Sequence, residues 1–362
     1  MALERVVAIQ PDNKQARAEL GRALFGVGDT RAARALLSES KLEGIPVVAG
    51  ESIDQLLQAV DRVDAAGRSS YKAYVEFGLG LDNNANSGPG ERNFAVPAFG
   101  GTIITLNSSG VATKSGYATA GGGFSGRYVL DPRWSVIGNV TGSARAYADQ
   151  AGEFNARQLD FNVGISYRVE RDEYTLVAQG GSYDIDYDRV RNLTGFVADW
   201  TRRFDGFTQL STYLQVGRMA YPQSHVSDVN RTVVGATYAN LFRSGFLAYG
   251  GLYAGVEEER AAGVPHLGHK LVGLRGGVQQ PLSSTLSVFA TAGYEDRRFG
   301  GADPFFLISR HDRQSNASVG ASWVLEHVWR LSPQVSWVQT RSNIGFAAYD
   351  KLVYSLMARR EF

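Results

Sequence analysis

The sequence predicts a mainly β protein: a 14-stranded antiparallel transmembrane β-barrel over residues 69–362, preceded by a short α-helical segment over residues 1–67. Three observations carry this reading. Hydrophobic periodicity changes from three-and-four to two near Ser69. The alternating segments are too many and too long for a soluble sandwich. The joins between them alternate between tight turns and longer polar loops. The composition agrees: 42 of 362 residues are glycine, only 10 are proline, and aromatics reach 11%. Mean hydropathy is −0.19, and no run of ~18 apolar residues is present for a spanning helix. A barrel hides its lipid face from such averages because outward apolar residues alternate with inward polar ones. The net charge of +1 argues against a nucleic-acid binder. The absence of cysteine excludes disulfide frameworks, thiolate metal sites and cysteine nucleophiles.

The chain opens on Met1-Ala2-Leu3-Glu4-Arg5, without the pattern of a signal peptide. Residues 1–67 are rich in Ala, Leu, Arg and Glu, which favour helices. Ala18, Leu20, Gly21, Leu24 and Phe25 make one apolar stripe; Ala32, Ala33, Leu36 and Leu37 make the next. Gly26 to Asp29 reads as the turn between them, with Asp29 or Thr30 as N-cap. A third helix is expected over Ser52 to Ala66, burying Leu56, Leu57, Val60 and Val63. The pair fits a tetratricopeptide-type repeat, with Leu20-Gly21 and Ala33 at the close helix contact, and equally a plain α-hairpin. In the repeat register Pro11 ends a preceding unit, so further helices and an export signal are expected upstream of Met1.

After Ser69 the clearest strand is Gln158–Glu170, with Leu159, Phe161, Val163, Ile165, Tyr167 and Val169 on one face. Fourteen such segments begin near residues 70, 116, 134, 157, 172, 190, 207, 229, 245, 268, 284, 313, 329 and 350. Most run to roughly twelve to sixteen residues, well above the soluble mode of five or six. Tight joins fall at 130–133, 170–172, 204–206, 242–245 and 281–284. Longer joins fall at 83–115, 149–156, 185–192, 220–229, 257–269, 297–313 and 340–350. An even strand number places both chain ends on the short-turn side, which in outer-membrane barrels is the periplasm.

Within the first strand Tyr71, Val75, Phe77, Leu79 and Leu81 are expected to face lipid. Lys72, Glu76 and Asp82, with Asp160, Arg168 and Glu170 further on, are the candidate lumen-facing residues. Tyr71, Trp134, Trp200 and Trp337 are expected to form interface girdles. The chain ends on an aromatic residue, with Leu352, Tyr354, Leu356, Ala358 and Phe362 on one face. This resembles the terminal signal for barrel assembly, which implies the barrel assembly machinery and outer-membrane lipids as partners. Arg360 departs from that face's apolar character, and at a rim its guanidinium reaches headgroups.

Chemistry-bearing motifs are sparse. Four of the five histidines (His225, His266, His269 and His311) fall in or beside predicted loops, and His327 lies near a turn. Asp82 to Gly88 resembles a calcium loop, but position twelve is Asn93 instead of the bidentate Glu, so a polar turn is expected there. The acidic run Asp184–Asp188 reads as a solvated loop. No catalytic residue, cofactor site or metal ligand is singled out.

Together these pieces resemble the surface lipoprotein assembly modifiers and their relatives (Slam-like proteins of type XI secretion). The resemblance rests on Ala18-Glu19-Leu20-Gly21-Arg22-Ala23-Leu24-Phe25, Gly28-Asp29, Ala32-Ala33-Arg34, Ile45-Pro46 and the helix Ile53–Ala66. It rests also on Gly78 to Asn86, similar to the family's Gly-x-x-x-Asp-x-Asn-x-Asn opening to the barrel. It implies an outer-membrane translocator, with no enzyme activity, that assists export or display of surface lipoproteins or secreted haem- or metal-capture proteins. It also implies a periplasmic helical segment whose Arg17, Arg22, Arg31 and Arg34 are candidate client-facing residues, and a monomer with no nucleic-acid partner. The alternatives are a polysaccharide exporter, which also joins repeat helices to a barrel, and a passive porin.

Overall fold

The computed structural model describes residues 13–27, 29–42, 68–326 and 328–362, together with Leu3, Val6, Val7 and Gln10. Two helices come first, α1 (Lys14–Val27) and α2 (Thr30–Leu42). Asn13 caps α1, its Oδ1 accepting the Ala16 N–H at 3.0 Å. Of the two cap candidates for α2 it is Asp29 that serves, accepting the Ala32 N–H at 3.0 Å. The helices meet where the sequence is smallest. A Cβ on Gly21 would lie 2.9 Å from Leu37 Cγ and 3.3 Å from the Ala33 carbonyl oxygen, so only glycine allows this approach. Phe25, Ala33 and Leu37 are buried at the contact, with Phe207 and Leu241 of the barrel packed against them. Pro11, Ile45-Pro46, the expected third helix over Ser52–Ala66 and His327 lie outside the described residues.

Sixteen strands follow, fourteen of them in the barrel. They are β1 (Ser70–Asp82), β2 (Asn93–Val96), β3 (Thr102–Thr105), β4 (Ser115–Val129), β5 (Trp134–Tyr147), β6 (Ala156–Val169), β7 (Asp172–Ile185) and β8 (Asp188–Arg203). The rest are β9 (Thr208–Ala220), β10 (Val229–Leu241), β11 (Leu247–Glu259), β12 (His269–Pro281), β13 (Leu286–Ala302), β14 (Ser309–Leu325), β15 (Trp329–Ser342) and β16 (Tyr349–Glu361). All but β2 and β3 pair antiparallel in chain order and close through β1 and β16. The short β2–β3 hairpin lies inside the join between β1 and β4, too brief for an alternation signal.

Both chain ends meet the barrel at the rim of short turns, termed here the terminal rim; the opposite end is the loop rim. Phe77, Leu79 and Leu81 on β1, Leu252 on β11 and Val319 on β14 are all more than half exposed. Alternate positions carry the polar side chains. An exposed apolar belt around a closed sheet is stable only against hydrocarbon.

Two joins differ from the sequence reading. The expected loop 185–192 is a two-residue turn, Asp186 and Tyr187, at φ 47° and 69°, the left-handed pair that hairpin turns of this length use. Asp184 and Asp188 belong to strands, and Asp184 is bonded to Arg189, so the acidic run is not a solvated loop. The expected loop 297–313 shrinks to 303–308, because β13 and β14 extend beyond the apolar belt. Asp296 there pairs with His311 at 2.7 Å and Arg298 at 3.0 Å, and Arg310 pairs with Asp312. Charges that read as loop polarity are partners along and across the two strands. Trp323 and Trp329 stand near the terminal rim with Tyr71, Trp134 and Trp200, and Trp337 ends the outward apolar row of β15, with Gln339 and Arg341 next on that face toward the loop rim.

Candidate functional site: barrel interior and closing seam

The seam between β1 and β16 is built from the face opposite the lipid-exposed row. Its register runs from Tyr74↔Glu361 to Asp82↔Val353. It is the shortest in the barrel; β1 pairs with β4 over its whole length, Ser70 to Asp82. Ion pairs supplement the short ladder. Arg359 on β16 donates to Glu76 Oε2 from Nε at 2.9 Å and Nη2 at 2.6 Å, and its guanidinium lies 4.1 Å from the Tyr74 ring. Near the loop rim Lys351 meets Asp82 at 2.9 Å, and Tyr147 on β5 donates its hydroxyl to the same carboxylate at 2.9 Å.

Asp82-x-Asn84-x-Asn86 continues the seam as a clasp. Asp82 accepts the Asn84 N–H at 2.9 Å. Asn84 donates to the Gly88 and Asp350 carbonyls and accepts the Gly88 N–H, each at 2.9 Å. Asn86 donates to the Ser109 and Val111 carbonyls at 2.7 Å, tying down the long join from β1 to β4. Asn83 exchanges bonds with Leu352 across the seam. The calcium-like spacing is thus a set of side-chain bridges to backbone, as Asx residues favour near chain turns. Among the described residues no three His, Asp or Glu side chains are placed to share a metal.

A second cluster lies inside the barrel near the terminal rim. Glu173 on β7 accepts from Arg127 on β4 at 2.7 Å, Ser166 on β6 at 2.7 Å, Arg168 on β6 at 2.8 Å and Arg203 on β8 at 3.0 Å. Glu173 and Ser166 are buried. One carboxylate facing three guanidiniums leaves local positive charge, and Arg127 reaches across three strand spacings to join it. A further cavity of 540 Å³ opens on the inner wall, lined by Asp199, Tyr213, Arg231, Tyr253, Arg275 and Glu295, among others.

Of the residues singled out from sequence, Glu76, Asp82 and Arg168 sit in these clusters. Asp160 accepts from Gln158 at 2.6 Å, and Lys72 stands exposed near the terminal rim. Glu170 does not face the lumen; it occupies the turn between β6 and β7 at φ 51°. Glu173, three residues on, holds the interior position. Its partners come from three strands, β4, β6 and β8. Arg168 faces it directly across the β6–β7 turn, but no spacing rule in one chain links Arg127 or Arg203 to it. Leu352, Tyr354, Leu356, Ala358 and Phe362 share the outward face of β16, with Arg360 placed over the Trp329 and Phe362 rings at 5.7 and 5.2 Å. Among the helix arginines, Arg17 is buried and Arg31 exposed. Arg22 does not project outward but lies over the Phe207 ring at 5.3 Å, and burial there lowers its guanidinium pKa from the ordinary value.

A closed fourteen-stranded sheet with an apolar outer belt and a polar, ion-paired interior defines an outer-membrane β-barrel. The model of the family described as "Surface lipoprotein assembly modifier" matches residues 74–362, which is the whole barrel beyond the first residues of β1. The chain belongs to that family. A curated relative, the "Surface lipoprotein assembly modifier" of Moraxella catarrhalis, is 22% identical over 353 residues, covering 94% of this chain and 64% of the relative. The chain therefore spans less than two-thirds of that relative's length. Among solved structures, the outer-membrane channel DcaP of Acinetobacter baumannii aligns at TM-score 0.46 and 9% identity, covering 81% of this chain and 97% of that one. A Pseudomonas aeruginosa FadL homologue aligns at 0.43 and 9%, covering 81% and 90%.

Proposed function

We propose that this chain is the membrane-embedded part of a translocator that assists surface lipoproteins across the outer membrane. The observation that carries the reading is the family match over the barrel. In this reading the terminal rim faces the periplasm and the loop rim faces the medium. The hairpin α1–α2 stands in the periplasm, held by Phe25 against Phe207 at 5.3 Å between ring centroids. Of its arginines, Arg31 is the one turned outward to meet a client. Direction comes from binding and client folding outside the cell, since the mechanism assigns the protein no hydrolytic step.

The paired interior charges support this over a glycan exporter, whose conduit calls for one sign of charge along its wall. Here Glu76–Arg359, Asp82–Lys351 and Arg231–Glu257 cancel in place, while the positive excess around Glu173 sits near the terminal rim and does not run along the wall with them. The test is surface display. In cells lacking the gene, a lipoprotein encoded beside it should lose accessibility to external protease, and plasmid-borne protein should restore it. Unchanged accessibility in the deletion strain would sink the proposal.

A further inference from the structure

On the membrane-facing surface beside the seam lies a groove of 710 Å³, within the range of small-ligand sites. Its geometry follows from one row of directly opposed residues. Phe77 on β1 faces Ala120 on β4, Ala120 faces Ala144 on β5, and Ala144 faces Arg157 on β6. In the other direction Phe77 faces Ala358 on β16, which faces Leu331 on β15. Phe77 is 57% exposed, so the row is on the outer face. The alanines leave a trough between the ridge of Phe77 and the Arg157–Tyr187 pair. From Phe77 to Arg157 the trough crosses three strand spacings, about 14 Å at ~4.8 Å each. That matches one leaflet of a ~30 Å hydrocarbon core, about half its thickness.

The loop-rim end of the trough is cationic. Arg157 lies 3.8 Å over the Tyr187 ring, which fixes the guanidinium plane and leaves its N–H fork unspent. The neighbouring carboxylate, Asp184, is engaged by Arg189, and no carboxylate pairs with Arg157 among the described residues. A planar, pre-oriented guanidinium with open donors matches a phosphate monoanion. An apolar trough ending at such a group complements one amphiphile.

We propose that this groove is a binding site for an anionic, phosphate-bearing membrane lipid of the leaflet at the loop rim, its acyl chain laid over Ala120 and Ala144 and its phosphate held by Arg157; phosphatidylglycerol serves as the probe of that chemistry. The site stands independently of the export reading. Its position against β1 and β16 means that any opening of the seam would have to displace or carry that lipid.

Native mass spectrometry of the full chain in detergent, titrated with phosphatidylglycerol, tests the assignment. One tightly held phosphatidylglycerol is expected, with phosphatidylcholine held at least about tenfold more weakly. Arg157→Gln should reduce phosphatidylglycerol occupancy about tenfold and abolish the preference over phosphatidylcholine. Ala120→Leu with Ala144→Leu should reduce both lipids by filling the trough. Heat-modifiable migration of each variant on gels verifies that the barrel has folded, and Arg157→Lys, which keeps the charge, should retain part of the preference if a variant folds poorly. Equal occupancy by the two lipids, or occupancy unchanged in both variants, overturns the proposal. So does binding of free inorganic phosphate with the same affinity, or tighter binding of a triacylated lipopeptide that is indifferent to Arg157.

Discussion

Asn84 is 1% exposed, and its side chain is bonded in three directions, twice to Gly88 and once to the Asp350 carbonyl of the seam. Replacing it with alanine removes the bonds to the Gly88 and Asp350 carbonyls and leaves the Gly88 N–H only its longer contact with Asn86 Oδ1 at 3.2 Å, at a cost of about 1–3 kcal/mol. Asn84→Ala should therefore lower the urea midpoint for loss of the heat-modifiable barrel, whereas a substitution at exposed Glu91 of the same join should not. Asp228, in the join between β9 and β10, supports a pH prediction. The Tyr221 backbone N–H at 2.8 Å, then the Arg218 guanidinium at 2.8 Å, hold its carboxyl below the usual carboxylate range. A depressed folded-state pKa contributes stability that is complete above the unfolded value near 3.8 and is lost as pH falls through the folded value. Protease sensitivity of residues 221–228 should thus stay flat from neutral pH to about pH 4 and rise below it. In Asp228→Asn the sensitivity should be raised throughout and show no such step.

At the scale of elements, the helical hairpin offers a decision between opposing effects. Gly21→Leu gains about 1 kcal/mol of helix propensity. It also forces side-chain atoms into the space where Leu37 Cγ and the Ala33 carbonyl already lie 2.9 and 3.3 Å from a Cβ. Overpacking costs ~1–3 kcal/mol, and backbone cannot yield as a side-chain tip does, so the clash wins. The variant should lose hydrogen-exchange protection across α1 and α2 while the barrel strands keep theirs. The strands themselves were legible because each repeats a period of two for longer than a soluble strand does; thirteen of the fourteen predicted starts fall within two or three residues of those found. The exception is β14, which starts at Ser309 where alternation becomes visible only near Arg313. Its first turn of residues, Ser309 to Asp312, is polar on both faces, because beyond the bilayer neither face needs to be apolar. The same reason hid the Asp186-Tyr187 hairpin turn. The Glu173 cluster was illegible for a different cause. Apart from Arg168, its hairpin partner, its guanidiniums come from β4 and β8, and a single sequence does not record which side chains the curvature of a sheet brings within reach.

At the scale of the whole molecule, a closed barrel has no free edge, yet its ladders are unequal. Neighbouring walls are joined along nearly their full height, while β1 and β16 share only Tyr74–Asp82 against Val353–Glu361. Glu76–Arg359 and Asp82–Lys351 offset that deficit with interior ion pairs. If export needs the wall to open, it should open here. Gly78 and Met357 are direct partners across this seam. A Cβ at Gly78 would sit 2.1 Å from Met357 Sδ, so Gly78→Cys with Met357→Cys exchanges that crowding for two facing thiols at disulfide reach. The chain has no other cysteine. Thr237 and Gly251 face each other in the same way across β10 and β11, on the side of the ring opposite the seam. Oxidation of the seam pair should abolish surface display of the client and reductant should restore it. Oxidation of the Thr237→Cys, Gly251→Cys pair should leave display unchanged. Both locks blocking display would indict general rigidity, and neither blocking it would place the route through the lumen, so only the asymmetric outcome supports lateral opening between β1 and β16.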